Sequence, residues 1–289
     1  MTTDPHVNGK QNGHAFHGAG ATSIWQLFKE RNTRDALYAD AGYWDARASA
    51  REGMARSLWP SNVFNEVWDV RQRELLIRVL GDLRGRRVVD VGCGTGRMTR
   101  FFAAAGAREV VGVDFSPSTV EAARAETAAT SQANAPIRFS VGDVVAGLDD
   151  IGVGTFDDAI VLGCFSVACR DEASLEKAMR NVGRLVRRGG RVLILEPIHR
   201  SPLLRRVLPL GIEEWVAAAN RAGLRLQAAD RMGFVPVRFF FSVRDLPRFL
   251  VTPAFRAGEW LLDKAPYLAP LSDYKLLLFT ADGPRIDRT

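Results

Sequence analysis

The chain is short of the residues that staple or anchor a protein. Its three cysteines, Cys93, Cys164 and Cys169, cannot all pair, and no two stand at metal-ligand spacing. That excludes a disulfide-built mini-protein and makes a reducing cytoplasm the simplest home. Histidine is scarce: three of the four (His6, His14, His17) fall in the first 20 residues, which leaves His199 alone in the body of the chain. No metal site is expected. No run of 18 apolar residues exists, so a transmembrane helix is not expected. The start of the chain has no apolar signal-peptide core. Lysine is rare as well, five against 34 arginines. The net charge of +6 comes from arginines spread along the whole chain. That reads as composition rather than as a nucleic-acid patch. With 47% hydrophobic and 25% charged residues in 289, this is an ordinary globular protein. It is long enough to bury about 70–75% of its unfolded surface.

Residues 1–20 are Gly- and Asn-rich and read as a mobile tail. Residues 21–84 read as a helical cap. Trp59-Pro60 interrupts it, and Ser61 or Asn62 caps a helix carrying Val63, Val67, Val70, Leu75, Leu76 and Val79 toward Gly81 or Gly85. From residue 85 onward strands alternate with helices. Val88–Val91, Val110–Asp114, Ile137–Val141, Phe156–Leu162 and Arg191–Glu196 are short β-branched or apolar runs. Helical segments at 95–105, Ser118–Ala129 and Glu172–Val186 separate most of them. That alternation predicts βαβ units in a mostly parallel sheet. A helix at Ile212–Ala222, a strand at Leu224–Ala228 and a last strand at Tyr274–Thr280 follow. The stretch 231–272 reads as an insertion between the last two strands. Six of the 16 phenylalanines lie between Phe234 and Phe255.

The most informative segment is Val88-Val89-Asp90-Val91-Gly92-Cys93-Gly94-Thr95-Gly96-Arg97. A strand runs into glycines and then a helix, whose first N–H groups are free to meet a ligand. A phosphate-binding loop would need Lys and then Ser or Thr where Arg97 and Met98 stand. The dinucleotide fingerprint G-x-G-x-x-G would need glycine at Arg97. Asp90 precedes the loop, which is poor for a pyrophosphate and suits a ligand with positive charge, such as S-adenosylmethionine. The segment resembles motif I of the class I S-adenosylmethionine-dependent methyltransferases, an acid followed by G-x-G-x-G. Asp114 stands 24 residues after Asp90, where the family's acid binds the ribose hydroxyls. Phe115 stands where an apolar residue packs on adenine. Gly142-Asp143-Val144 stands where an acid meets the adenine amino group. Leu185 to Leu193 resembles the family's helix, Gly-Gly turn and fifth strand. The match covers roughly residues 85–200, with weaker support to 281.

The resemblance implies a Rossmann-like, doubly wound, mostly parallel seven-stranded sheet with an antiparallel last strand. It implies S-adenosylmethionine as cofactor, held by Asp90, Gly92, Cys93, Gly94, Gly96, Asp114, Phe115, Ser116, Asp143, Val144 and Gly163. Leu162-Gly163-Cys164-Phe165-Ser166 stands where the family faces the methyl group. It matches neither N-P-P-[YF] nor Pro-Cys, so a nucleic-acid substrate is disfavoured and Cys164 is a wall residue. A small, partly apolar acceptor is the expected partner, with Tyr43, Trp44 and Cys164 as contacts. No obligate protein partner is inferred. His199, after the fifth strand, is the candidate base for a hydroxyl. Residues 234–256 interleave Phe239, Phe240, Phe241, Phe249 and Phe255 with arginines. They read first as the insertion's own core packing, and otherwise as a roof over the acceptor or a contact with a membrane surface. The rival readings are an RNA or protein methyltransferase, a nicotinamide-dependent oxidoreductase and a non-catalytic binding protein.

Overall fold

The computed structural model describes residues 42–45, 54, 59–130 and 135–282. The expected tail at 1–20 and most of the expected cap before residue 59 lie outside them. Seven strands form one sheet in the order β3-β2-β1-β4-β5-β7-β6. They are β1 (Arg87–Val91), β2 (Glu109–Asp114), β3 (Ile137–Val141), β4 (Phe156–Leu162), β5 (Val186–Glu196), β6 (Leu224–Phe234) and β7 (Ser272–Ala281). β1 to β5 pair in parallel, and β7 runs antiparallel between β5 and β6. The expected Rossmann-like sheet with its antiparallel last strand is therefore present. The order reverses between β1 and β4, which is where such a sheet opens a crevice at its carboxyl edge.

The helices are α1 (Asn62–Leu80), α2 (Arg97–Ala104), α3 (Pro117–Thr130), α4 (Asp149–Gly152), α5 (Phe165–Ala168), α6 (Glu172–Leu185), α7 (Ile212–Arg221), α8 (Val235–Phe241) and α9 (Arg248–Lys264). The pleat sends alternate strand residues to opposite faces. Val89, Val91, Ala159, Val161, Val192 and Ile194 pack with α6 and α7 around Trp215 and Met179. Val88, Ile160, Leu193, Leu195 and Leu276 pack on the other face with α1, α2 and α9. Buried strands of this kind carry near-continuous apolar runs because both faces are covered. At the amino edge Asp158, with no exposure, sits between Arg86 and Arg191, whose Nε lies 2.6 Å away.

Two expectations are corrected here. α1 is a core helix rather than part of a cap. Its buried face is Phe64, Trp68, Leu75, Leu76 and Leu80, and Val70 is 53% exposed. The valine stripe misleads because three polar residues take inward positions. Asn65 bonds the backbone N–H and C=O of Trp59, while Asp69 and Gln72 receive the guanidinium of Arg97. Trp59, Phe64 and Trp68 accordingly form an aromatic core with Phe255 and Tyr274, ring centroids 4.5–6.2 Å apart. The second correction concerns the insertion. β6 continues six residues past Ala228 to Phe234, so α8, α9 and a 3₁₀ turn at Pro266–Leu271 make up the excursion.

Candidate functional site

A cavity of about 400 Å³ opens at the carboxyl ends of β1, β2, β3 and β4, at the reversal of strand order. Its glycine turn is built by backbone chemistry. Gly92, Gly94 and Gly96 all have positive φ, at 75°, 55° and 79°. The N–H groups of Gly92 and Cys93 both donate to the Val113 carbonyl, at 2.8 and 3.0 Å. A Cβ on Gly92 would lie 2.6 Å from the Cβ of Cys164. Only glycine gives both that φ and that approach between the β1 and β4 turns.

Asp114 ends β2 beside this turn. Its Oδ2 accepts the Gly94 N–H at 2.9 Å and its Oδ1 accepts the Ser116 N–H at 3.1 Å. Burial pushes its carboxyl above the usual aspartate value, opposed by those N–H donors. Phe115 follows, 37% exposed at the cavity wall. Asp143 sits after β3, its Oδ1 accepting the N–H groups of Val145 and Ala146 at 2.7 and 3.1 Å. Val144 and Gly163 also line the cavity, as do Trp44 and Cys164. Trp44 belongs to a helical turn at 42–45 whose Asp45 accepts hydrogen bonds from Ser116 and Ser118. Tyr43 stacks edge-on against Trp44, centroids 5.2 Å apart.

Four residues expected to touch a cofactor do not line the cavity. Asp90 is 1% exposed and sits beneath the turn, where its Oδ2 accepts the Thr99 hydroxyl at 2.7 Å. Burial lifts its carboxyl to about 6. Asp90 pairs with Gly112 in the sheet, two residues short of Asp114, so it lies inside the edge rather than on it. Its charge therefore does not face the ligand. Cys93 is buried among Val120, Ala123 and Phe139. Gly96 caps α2 against Phe139. Ser116 is fully buried as a turn residue before α3.

His199 is also elsewhere. It is 6% exposed, with Nε2 2.9 Å from the Asp273 carbonyl oxygen and Lys275 Nζ within 3.4 Å of Nδ1. It lines a second concavity, about 490 Å³, between β6, β7 and α7. Burial, with the Lys275 ammonium second, pushes its pKa down to about 4. The carboxyl edge spans the whole sheet, and His199 turns toward β7 rather than toward β4. The lining residues that sequence reasoning passed over include Thr95, Thr119, Ala168 and Arg170. Arg170 has no other histidine, lysine or arginine beside it in the described lining. Its buried Nη1 has no hydrogen-bond partner among the described residues.

Glu196 shapes this wall without lining it. Its Oε1 accepts the N–H groups of Cys164 and Phe165 at 2.7 and 2.8 Å, and Oε2 that of Ser166 at 3.2 Å. These are orphan amides at the start of α5. Burial raises the Glu196 carboxyl from the ordinary 4.5 to about 7. A carboxyl raised on folding binds its proton more tightly in the native state. Its stabilisation is complete below about 4.5 and is lost as pH climbs to about 7. Asp90, raised from 3.8 to about 6, tilts stability the same way. Glu196→Gln is therefore expected to flatten part of the fall in stability across that window, measured by denaturant titration at a series of pH values. An unchanged slope would show that Glu196 is not the group responsible.

A doubly wound sheet with a glycine turn after β1 and an acid ending β2 defines a nucleotide-type site at a topological switch point. The chain belongs to the S-adenosylmethionine-dependent methyltransferases, class I. The family described as methyltransferase domain matches residues 88–190. A ubiquinone biosynthesis O-methyltransferase of Alkalilimnicola ehrlichii is 30% identical over 240 residues, 73% of this chain and 93% of that protein. The O-methyltransferase cnsE of Penicillium expansum is 26% identical over 279 residues, 90% of this chain and 92% of that one. The fold matches the crystal structure of magnesium protoporphyrin IX methyltransferase from Synechocystis with bound S-adenosylhomocysteine. The TM-score is 0.54 at 15% identity, covering 87% of this chain and 99% of that one. The cofactor is S-adenosylmethionine, and the cavity fits it. The Gly92–Gly96 turn leaves backbone exposed, and Asp114 and Asp143 keep acceptor capacity toward the space. No helix among the described residues is long and apolar enough to cross a membrane.

Proposed function

We propose that the enzyme methylates an oxygen of a small, partly apolar acceptor, and that the oxygen arrives as an anion, a phenolate or a carboxylate. Arg170 carries this reading. It is the cation of the described cavity lining and its Nη1 is buried without a partner among the described residues. An unpaired guanidinium hydrogen-bonding group in a buried wall is costly unless an acceptor atom meets it. The described lining holds no histidine, lysine or tyrosine to remove a proton. Its two carboxylates, Asp114 and Asp143, already accept backbone N–H groups. An oxygen that is already ionised needs no base.

S-adenosylmethionine, held by the Gly92–Gly94 backbone, Asp114 and Asp143, would supply a methyl group carried on a sulfonium. The protein's part is placement. In this reading Asp114 receives the ribose hydroxyls, Asp143 the adenine amino group, and Phe115 and Val144 the adenine faces. Leu162, Cys164 and Ala168 form the apolar wall on the acceptor side. Burial holds the Cys164 thiol well above its usual pKa, so it is wall rather than nucleophile. Trp44 adds an aromatic face to the lining. One relative's name gives ubiquinone biosynthesis, and we extend quinone metabolism to this chain as its setting.

The test is methyl transfer from labelled cofactor to a panel of phenols, quinols and carboxylates, with RNA and protein as parallel acceptors. Label is expected in an ether or ester of a small molecule. Arg170→Ala is expected to raise the acceptor KM by about tenfold, the value of one charge-assisted hydrogen bond, and to leave S-adenosylhomocysteine affinity unchanged. His199→Ala is expected to keep its turnover. Label entering only RNA or protein, or an Arg170→Ala enzyme with an unaltered KM, overturns the reading.

A further inference from the structure

The excursion between β6 and β7 turns most of its aromatic residues outward. Val251, Phe255, Gly258, Glu259 and Leu262 form the buried face of α9. The opposite face repeats at helical spacing as Phe249, Pro253, Arg256, Trp260 and Lys264, all exposed. Phe249 is 75% and Trp260 59% exposed, and Phe240 on the adjoining α8 is 74% exposed. A helix that spends one face on the core and shows aromatics on the other has a second use for them. The charge around them is mostly basic. Between residues 235 and 264 stand Arg238, Arg244, Arg248, Arg256 and Lys264 against Asp245, Glu259 and Asp263, and Glu259 is buried against Arg71. Asp245 is exposed but engaged, accepting the Ser61 hydroxyl at 2.9 Å and the Val63 N–H at 3.1 Å. Arg238 is spent on Asp273 and Arg248 approaches Glu66 at 3.5 Å. Arg244 and Arg256 are exposed and make no ion pair among the described residues.

We propose that this face docks on an anionic lipid bilayer, with Phe240, Phe249 and Trp260 entering the headgroup boundary and Arg244 and Arg256 meeting lipid phosphates. Aromatic residues on one helical face flanked by arginine are what an interfacial helix needs. Basic residues near an anionic leaflet add attraction that salt weakens. The excursion leaves β6 and rejoins β7 at the carboxyl edge, where Lys275 pairs with Glu196. The cavity opens at the same edge. Docking would therefore bring the cavity close to the bilayer surface, the route for an apolar acceptor. The docking itself does not depend on which atom is methylated.

The experiment is sedimentation of the full chain with vesicles of phosphatidylcholine alone and of equal parts phosphatidylcholine and phosphatidylglycerol, at low and raised salt. Binding is expected to the anionic vesicles and to weaken with salt. Phe240→Ser with Phe249→Ser is expected to lower it by at least about tenfold, from the apolar area withheld. Arg244→Gln with Arg256→Gln is expected to lower it several-fold. S-adenosylhomocysteine affinity should be unchanged in each, which shows that the variants are folded. Absence of binding at low salt, or binding indifferent to all four substitutions, overturns the proposal. So does concentration-dependent dimerisation that the same substitutions abolish without any lipid binding.

Discussion

Asp114→Asn is expected to lower the affinity for S-adenosylhomocysteine by about a hundredfold, with little change in melting temperature. The expectation follows from how the carboxylate is held. One lone pair of each oxygen is taken, by Gly94 N–H at 2.9 Å and Ser116 N–H at 3.1 Å. The Phe115 N–H bears on the carboxylate as well, and the acceptor capacity that remains is for donors on the ligand, such as those of a ribose diol. A hydrogen bond to a charged group contributes about 1.5–3 kcal/mol. Asparagine presents one oxygen and one amide, so it breaks one such bond and sets N–H against N–H on the other side. The sum is about 3 kcal/mol, or about two decades in Kd. Calorimetry reads the affinity directly, and a thermal melt separates it from misfolding. Near-wild-type binding by the asparagine variant would remove Asp114 from the ribose.

Much of this site is legible in the chain because its parts are backbone parts. Three glycines two apart after a β-branched run can only be a turn that needs positive φ. The following acid-ended strand places Asp114 at the edge by register alone. What the chain hides is depth. Asp90 and Asp114 both stand near the ends of strands, yet the pairing of Asp90 with Gly112 sets it two residues inside the sheet. There its partner is Thr99 and its task is to hold α2. The same limit explains His199. Its position after β5 gives the correct edge but not the neighbour, because β7 comes from over seventy residues later in the chain and inserts beside β5. Arg170 was passed over for the opposite reason. One arginine among 34 carries no pattern, and only the cavity shows that its buried nitrogen is unpaired. In α1, apolar spacing failed because Asn65, Asp69 and Gln72 are buried by specific partners that no periodicity records.

Gly92→Ala is expected to abolish measurable cofactor binding, and Cys164→Gly in the same chain to restore part of it. Two costs fall on the alanine. Its φ of 75° lies in the left-handed region, about 1–2 kcal/mol for a residue with a Cβ. Its Cβ would also stand 2.6 Å from Cys164 Cβ and 2.8 Å from the sulfur. Neither side can yield easily. Gly92 is tied to Val113 at 2.8 Å and Cys164 to Glu196 at 2.7 Å. An overpacked contact of this kind costs about 1–3 kcal/mol. The total, about 2–5 kcal/mol, falls on the turn that holds the ligand. Removing the Cys164 side chain cancels the contact and leaves the backbone strain. The double variant should therefore recover about half of the lost free energy, with a coupling of about 1–3 kcal/mol in the mutant cycle. Strict additivity would mean that the β1 and β4 turns do not bear on each other. The closeness of those two turns brings the β1 and β4 walls of the cavity together. A measured coupling would make the Gly92–Cys164 contact the seam between those walls.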